Sequence, residues 1–100
     1  MKFEMVAARS SLERLLAESD ATNGMYVRVH GKNLILGREE TYGGANGRID
    51  MVRLTERPRR QYGLSYKRHT GRWERTPFEG TLAELVKLLQ ESLTHMVAPL

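Results

Sequence analysis

The sequence contains no cysteine, and it has few histidines and no long hydrophobic run. Small secreted domains usually depend on disulfide bonds, so we expect this chain to fold in a reducing compartment and to be stabilised by packing alone. The N-terminus carries Lys2, but Glu4 interrupts its apolar stretch, which is not the pattern of a signal peptide. No apolar stretch approaches the roughly 20 residues that span a bilayer. We therefore predict a cytoplasmic protein with no membrane partner.

Side chains that usually carry catalysis or bind metals are too scattered to predict an enzyme. His30 and His69 lie near expected hairpin turns and His95 lies near the C-terminus, without a second ligand at metal-binding spacing. The glycines of residues 43–47 lack the Lys-Ser/Thr ending of a phosphate-binding loop, and an expected strand follows them instead of a helix. We predict no catalytic residues, no metal site and no cofactor.

The residues that are present form a globular mixture. Apolar residues make up 40% and charged residues 28% of the chain, which are proportions of a folded protein and not of a disordered one. With 100 residues the chain can build one hydrophobic core but no second lobe, so we predict a single domain spanning residues 1–100.

Positive charge is concentrated in the second half of the chain. The formal net charge is +4, but residues 48–75 contain nine basic and three acidic residues, so this segment carries +6 and the remainder carries −2. Arginine outnumbers lysine twelve to four, and its planar guanidinium suits phosphates and carboxylates. Compositional drift in a GC-rich genome would give the same ratio. The charge distribution favours an anionic partner.

A capping box predicts where the first helix begins. In Ser10-x-x-Glu13, the serine and glutamate side chains would satisfy free amides at a helix start, and an apolar stripe follows. The pair Asn23-Gly24 predicts the end of this helix, because both residues tolerate a positive φ. Residues 2–7 alternate like a strand but could also extend the helix, and the sequence leaves both possibilities open.

A second capping box, Thr81-x-x-Glu84, predicts the start of the last helix. Its apolar residues recur at helical spacing and form one broad stripe: Leu82, Leu85, Val86, Leu89, Leu93 and Met96. Leu88 lies at the margin of this stripe, where it could contact the first helix or a second subunit.

Residues 25–38 predict a β-hairpin about Gly31-Lys32. A two-residue loop there pairs Val29 with Leu34 and Val27 with Leu36, all on one face. The other face then carries Tyr26, Arg28, His30 and Ile35. Residues 40–47 contain three glycines and no apolar periodicity, so they predict a mobile connection.

Residues 49–78 predict three further strands. A loop at residues 58–60 pairs Leu54 with Leu64, and a two-residue turn at residues 70–71 joins the last two strands. The pairs across that turn would be Arg68 with Trp73, Lys67 with Glu74 and Tyr66 with Arg75. The predicted core face carries Val52, Leu54, Tyr62, Leu64, Tyr66 and Trp73. The predicted solvent face carries Met51, Arg53, Thr55, Ser65, Lys67, His69, Arg72, Glu74 and Thr76.

These elements predict an α+β fold in which about five strands form a meandering antiparallel sheet. An N-terminal and a C-terminal helix pack on one face of that sheet. The basic residues fall on or beside the other face, and they are candidates for nucleic-acid binding: Arg53, Arg57, Arg59, Arg60, Lys67, His69 and Arg72. Because no aromatic residue is expected there, recognition would act mainly on backbone phosphates.

Three functions remain open at this point. The first is a small non-enzymatic module that binds nucleic acid or another polyanion through the basic sheet face. The second is a protein-interaction or regulatory subunit, homodimeric through an open sheet edge or through the stripe around Leu88. The third is a metal-independent ribonuclease that relies on arginine and His69. The first function best fits the distribution of charge.

Overall fold

The computed structural model describes residues 3–42, 45–68 and 70–99. The elements follow in the order α1 (Phe3–Leu16), β1 (Tyr26–His30), β2 (Asn33–Tyr42), β3 (Ala45–Arg57), β4 (Gln61–Lys67), β5 (Trp73–Gly80) and α2 (Leu82–Glu91), with 3-10 turns at Pro58–Arg60 and Thr94–Met96. The strands form one antiparallel sheet in the order β1-β2-β3-β4-β5. The predicted α+β meander is therefore confirmed. Within the described residues, no helix is long and apolar enough to cross a membrane.

Both helices share one hydrophobic core with a single face of the sheet. The helices contribute Met5, Ala8, Leu12, Leu16, Leu85, Val86 and Leu89. The sheet contributes residues that include Val27, Leu34, Leu36, Val52, Leu54, Tyr62 and Leu64. The other face, which we call the open face, carries Arg28, Asn33, Ile35, Arg53, Thr55, Arg57, Gly63, Ser65, Lys67, Trp73 and Arg75. The structure thus leaves one sheet surface uncovered by helices.

Helix α1 begins earlier than its capping box predicts. Ser10 lies inside the helix and is exposed, so the predicted start at Ser10 is wrong. Met5, Ala8 and Leu12 recur at helical spacing and are all buried, which explains why the segment before Ser10 is helical and not a strand. Residue 2 lies outside the described residues.

Buried polar side chains hold the end of α1 against α2. The helix ends at Leu16 instead of at Asn23-Gly24, and the fully buried Thr22 donates a hydrogen bond of 2.6 Å to the Leu16 carbonyl. The Gln90 amide of α2 donates to Thr22 Oγ1 at 3.0 Å and to the Leu15 carbonyl at 3.1 Å. These bonds satisfy carbonyl groups that a helix end leaves free.

The capping box of α2 is confirmed. Glu84 N donates to Thr81 Oγ1 at 3.2 Å, and Thr81 N donates to Glu84 Oε1 at 2.9 Å. Helix α2 ends at Glu91. The last two residues of the predicted stripe, Leu93 and Met96, therefore lie at the start and at the end of the following 3-10 turn. Leu88 is half-buried and packs against the core of its own chain.

The first hairpin and the β3–β4 pair have the predicted registers. Val29 pairs with Leu34, and Leu54 pairs with Leu64. Gly31 has a φ of 61°, which suits the first central position of a two-residue hairpin turn. The short loop lengths therefore fix both registers.

Residues 40–47 do not form the predicted mobile connection. Glu40 pairs with Gly47 and Thr41 pairs with Asn46, so β2 and β3 continue as a long two-stranded ribbon. Residues 43 and 44 lie outside the described part of the chain. That prediction was wrong because glycines in a hairpin arm resemble those of a loop.

Met51 faces the core, although strict alternation places it on the solvent face. The β2–β3 register shifts between Leu36 and Gly37, which leaves Met51 as an additional residue on β3. Met51 is only 8% exposed and joins the hydrophobic core. This β-bulge also restores Asp50 to the open face, opposite Gly37.

The register between β4 and β5 differs from the prediction by one residue. Lys67 pairs with Trp73, Tyr66 with Glu74 and Ser65 with Arg75. Arg68 N donates to the Arg72 carbonyl at 2.8 Å, so three residues separate this pair, and Gly71 has a φ of 88°. A three-residue loop with a left-handed glycine replaces the expected two-residue turn. Trp73 and Arg75 therefore lie on the open face, whereas Glu74 and Arg72 are turned away from it.

Candidate functional site

The predicted core tryptophan lies among cations on the open face. Trp73 is half-buried, and the Arg53 guanidinium stacks over its ring at 4.9 Å from the ring centroid. The Lys67 ammonium lies 5.6 Å from the same centroid. Cation–π attraction of this kind holds a basic side chain against an aromatic ring without neutralising its charge. The three residues form a positively charged platform at one end of β5.

A concave cavity of about 210 Å³ lies beside this platform. Three arginines line it from two strands, Arg53 and Arg57 from β3 and Arg75 from β5. Four neutral polar residues also line it: Asn33, Thr55, Ser65 and Thr76. The cavity floor includes Gly63, where an added Cβ would meet Arg57 Nη2 at 2.9 Å. The lack of a side chain at Gly63 thus lets the Arg57 guanidinium lie against the sheet.

An irregularity in β5 helps to form this cavity. Gly63 pairs with Glu79 and Ser65 pairs with Arg75, so three β5 residues lie opposite one residue of β4. Pro77 is one of the three, and it cannot donate a ladder hydrogen bond. Thr76 Oγ1 donates instead to the Leu64 carbonyl at 2.8 Å.

Positive charge in the cavity is only partly compensated. Arg57 Nε lies 3.6 Å from Glu79 Oε1, a long and exposed ion pair. Within the described residues, Arg53 and Arg75 form no ion pair or hydrogen bond, and the buried Nε of Arg53 has no partner. Buried guanidinium nitrogens usually donate to an acceptor, and this one has none among the described residues. The Ser65 side chain is also unpaired among these residues, although Ser65 is only 4% exposed.

The opposite end of the open face is electrically balanced. Arg28 Nη2 donates to Asp50 Oδ2 at 2.6 Å, and the Tyr26 hydroxyl donates to Asp50 Oδ1 at 2.5 Å. The hydrogen bond from Arg28 holds the pKa of Asp50 below its usual value, and burial raises the pKa of Tyr26. Asp50 is thus ionised and neutralises Arg28. Asp50 also attracts Lys67 over a longer distance, so the charges of the face without a nearby carboxylate are those of Arg53 and Arg75.

The structure brings together only some of the predicted binding residues. Arg53, Arg57 and Lys67 lie on the open face. Arg72 is exposed at the end of the hairpin, and because it directly precedes Trp73, the alternation of side chains turns it away from this face. His69 lies outside the described residues.

Arg59 and Arg60 are also separated from the open face. They occupy the turn after β3 with φ values of 63° and 57°, and they line a different cavity of about 980 Å³, whose other lining residues include Glu4, Ala8 and Leu82 from the helices. Residues of the predicted set therefore line two cavities, and Arg57 lines both of them.

Two residues of the site are absent from the sequence-based set. The sequence predicts Trp73 in the core and Arg75 opposite Tyr66, and both predictions are wrong because the loop before β5 has three residues instead of two. Thr70 precedes Gly71, and a β-branched residue does not suit the first central position of a two-residue turn, where φ is positive, so this order favours a three-residue loop.

No protein-family model matches the chain, and searches of curated proteins and of solved structures also found no match. Within the parts of the chain that the structure describes, no three His, Cys, Asp or Glu residues form a group able to hold a metal ion. The functional argument therefore depends on the geometry and charge of the open face.

Proposed function

We propose that this protein is a non-enzymatic module that binds nucleic acid through the open face of its sheet. The observation that carries the proposal is the cluster of Arg53, Lys67 and Arg75, whose charges have no acidic partner at ion-pair distance among the described residues. Lysine and arginine with nearby hydroxyl groups are the usual contacts to backbone phosphates.

The aromatic side chain favours a single strand over a duplex. Proteins that bind single strands combine a basic surface with aromatic rings that contact the bases. Trp73 contacts both Arg53 and Lys67 and is partly exposed, so a strand whose phosphates contact these cations would pass beside the ring. Recognition would be mainly electrostatic and would tolerate many sequences.

Affinity should fall steeply as salt concentration rises. Contacts with three or four phosphates through Arg53, Lys67, Arg75 and Arg57 predict a slope of log K against log salt of about −2 to −3 for a single strand. Fluorescence anisotropy of a labelled mixed-sequence oligonucleotide measures this slope. Lys67→Gln should lower the affinity and reduce the slope by about 0.7, because one phosphate contact is lost.

Lys87→Gln is the matched control for that variant. It makes the same chemical change on the exposed side of α2, away from the open face, and should leave the slope unchanged. Equal effects of the two variants would show that net charge alone attracts the strand. Failure of about 10 μM protein to bind either single or double strands at 50 mM salt would contradict the proposal, since non-specific binders reach this range.

A protein-interaction or regulatory subunit remains the alternative. The described part of the chain leaves edge strands β1 and β5 without a sheet partner on one side, and the exposed Val6 lies on α1. However, Leu88 packs on its own core, which weakens the argument for a dimer through that residue. A dimer by sedimentation together with no binding of nucleic acid would favour this alternative.

A further inference from the structure

We infer that the cavity between β3 and β5 receives a phosphomonoester, so that the preferred nucleic acid is a single strand with a terminal phosphate. This inference rests on the proposed function and adds the chemical group that the cavity selects. It follows from the charge, the donors and the size of the cavity formed by Arg53, Arg57 and Arg75.

The charge of the cavity matches a terminal phosphate better than an internal one. Three guanidiniums line the cavity, and one of them is paired with Glu79. Its net charge is therefore +2. A phosphodiester carries a single negative charge, whereas a phosphomonoester carries about −1.5 to −2 near neutral pH. An internal phosphate would leave part of the positive charge uncompensated.

The free hydrogen-bond donors of the cavity suit an oxyanion. Within the described residues, the guanidiniums of Arg53 and Arg75 donate no hydrogen bond, and the Ser65 hydroxyl is also unpaired. Thr55 Oγ1 donates to Asn33 Oδ1 at 2.6 Å, which orients the Asn33 side chain and leaves its amide N–H groups free. Guanidinium groups can donate two parallel hydrogen bonds to one phosphate.

Two of the three arginines are held by contacts within the protein before a ligand binds. Arg53 is stacked on Trp73, and Arg57 lies in the space that Gly63 leaves open. Such preorganisation reduces the entropy lost on binding. The volume of about 210 Å³ corresponds to about seven water molecules at ~30 Å³ each, enough for a phosphate and the adjoining part of a sugar. The rest of the strand would extend along the open face.

The test compares one oligonucleotide sequence with a 5′-phosphate, with a 3′-phosphate and with hydroxyl groups at both ends. Fluorescence anisotropy, with a label on an internal base, gives each affinity at fixed salt. We expect about tenfold tighter binding of a phosphorylated strand, since charge-assisted hydrogen bonds contribute on this scale. Comparing the two phosphorylated strands identifies the end that enters the cavity. Inorganic phosphate, added as a competitor, should reduce the preference because it shares the same chemistry.

Comparing Arg75→Gln with Arg72→Gln tests whether the preference for a phosphorylated strand arises in the cavity. Both residues are exposed and unpaired among the described residues, and both changes remove one positive charge, but only Arg75 lines the cavity. Arg75→Gln should abolish the preference for a phosphorylated strand, and Arg72→Gln should retain it. A preference that survives Arg75→Gln would contradict this site.

The remaining outcomes separate the inference from the proposed function. Equal affinity for phosphorylated and hydroxyl-ended strands would overturn the inference and leave the proposed function standing. Absence of binding by all three strands would overturn both.

Discussion

Replacing Leu54 with alanine is expected to lower the free energy of unfolding by about 3–5 kcal/mol. Leu54 lies in the central strand β3, pairs with Leu34 and Leu64, and is fully buried under the helices. Removing its side chain loses the transfer free energy of three carbon atoms and leaves a cavity that a sheet held on both sides cannot close. Because small domains have stabilities of about 5–15 kcal/mol, most of the folding free energy could be lost. Urea denaturation followed by circular dichroism measures the change.

Leu88→Ala is the matched control for Leu54→Ala. The chemical change is identical, but Leu88 is half-buried on α2, where solvent can fill the vacated space. Its loss of stability should be less than half that of Leu54→Ala. Similar losses at the two positions would contradict the placement of the core between the helices and the central strands.

Gly37→Ala should destabilise the protein by about 3 kcal/mol. Gly37 is buried at the β2–β3 bulge, and a Cβ there would overlap with the Ile49 carbonyl oxygen and with the Tyr26 ring. The backbone oxygen cannot retreat without opening the ladder. Displacement of Tyr26 would also break its hydrogen bond to Asp50. Thermal or urea denaturation gives the magnitude.

Gly47→Ala tests the same substitution in the same hairpin. Gly47 is exposed, and a Cβ there has no neighbour within 4 Å. The change should therefore be neutral or slightly stabilising, because alanine has less conformational freedom than glycine in the unfolded chain. A large loss of stability at Gly47, or none at Gly37, would contradict the described course of the ribbon.

Sequence patterns predicted those elements whose local signals agree with their packing. The Thr81–Glu84 capping box marks the true start of α2, and the loops at residues 31–32 and 58–60 give the observed registers. Ser10 and Glu13 have the same spacing as a capping box, yet α1 continues through them. Burial of Met5 and Ala8 outweighs the local signal there, because the stability of a helix comes mainly from its packed face.

Irregularities of the sheet could not be predicted in the same way. The bulge at Met51 lies beside Asp50, which accepts hydrogen bonds from Arg28 and Tyr26, and these contacts join distant parts of the sequence. A bulge reverses which face each side chain occupies, and alternation in a single strand does not reveal it.

The candidate site was predicted in part because it spans one correct and one incorrect register. Arg53, Arg57 and Lys67 belong to strands whose pairing was derived correctly, and they lie on the predicted face. Trp73 and Arg75 follow the turn that is one residue longer than predicted. They therefore lie on the open face, where the sequence places Arg72 and Glu74. The correction adds a tryptophan beside the basic residues of β3 and β4, where no aromatic ring was expected.

Trp73 offers the most direct test of the claim that nucleic acid binds to the open face. It is the single tryptophan of the chain, and it contacts Arg53 and Lys67 at the centre of the proposed surface. Titration with an unlabelled single strand should change its fluorescence until saturation, with the same dissociation constant that anisotropy gives. Binding that leaves the emission of Trp73 unchanged would place the strand on another surface and contradict the account.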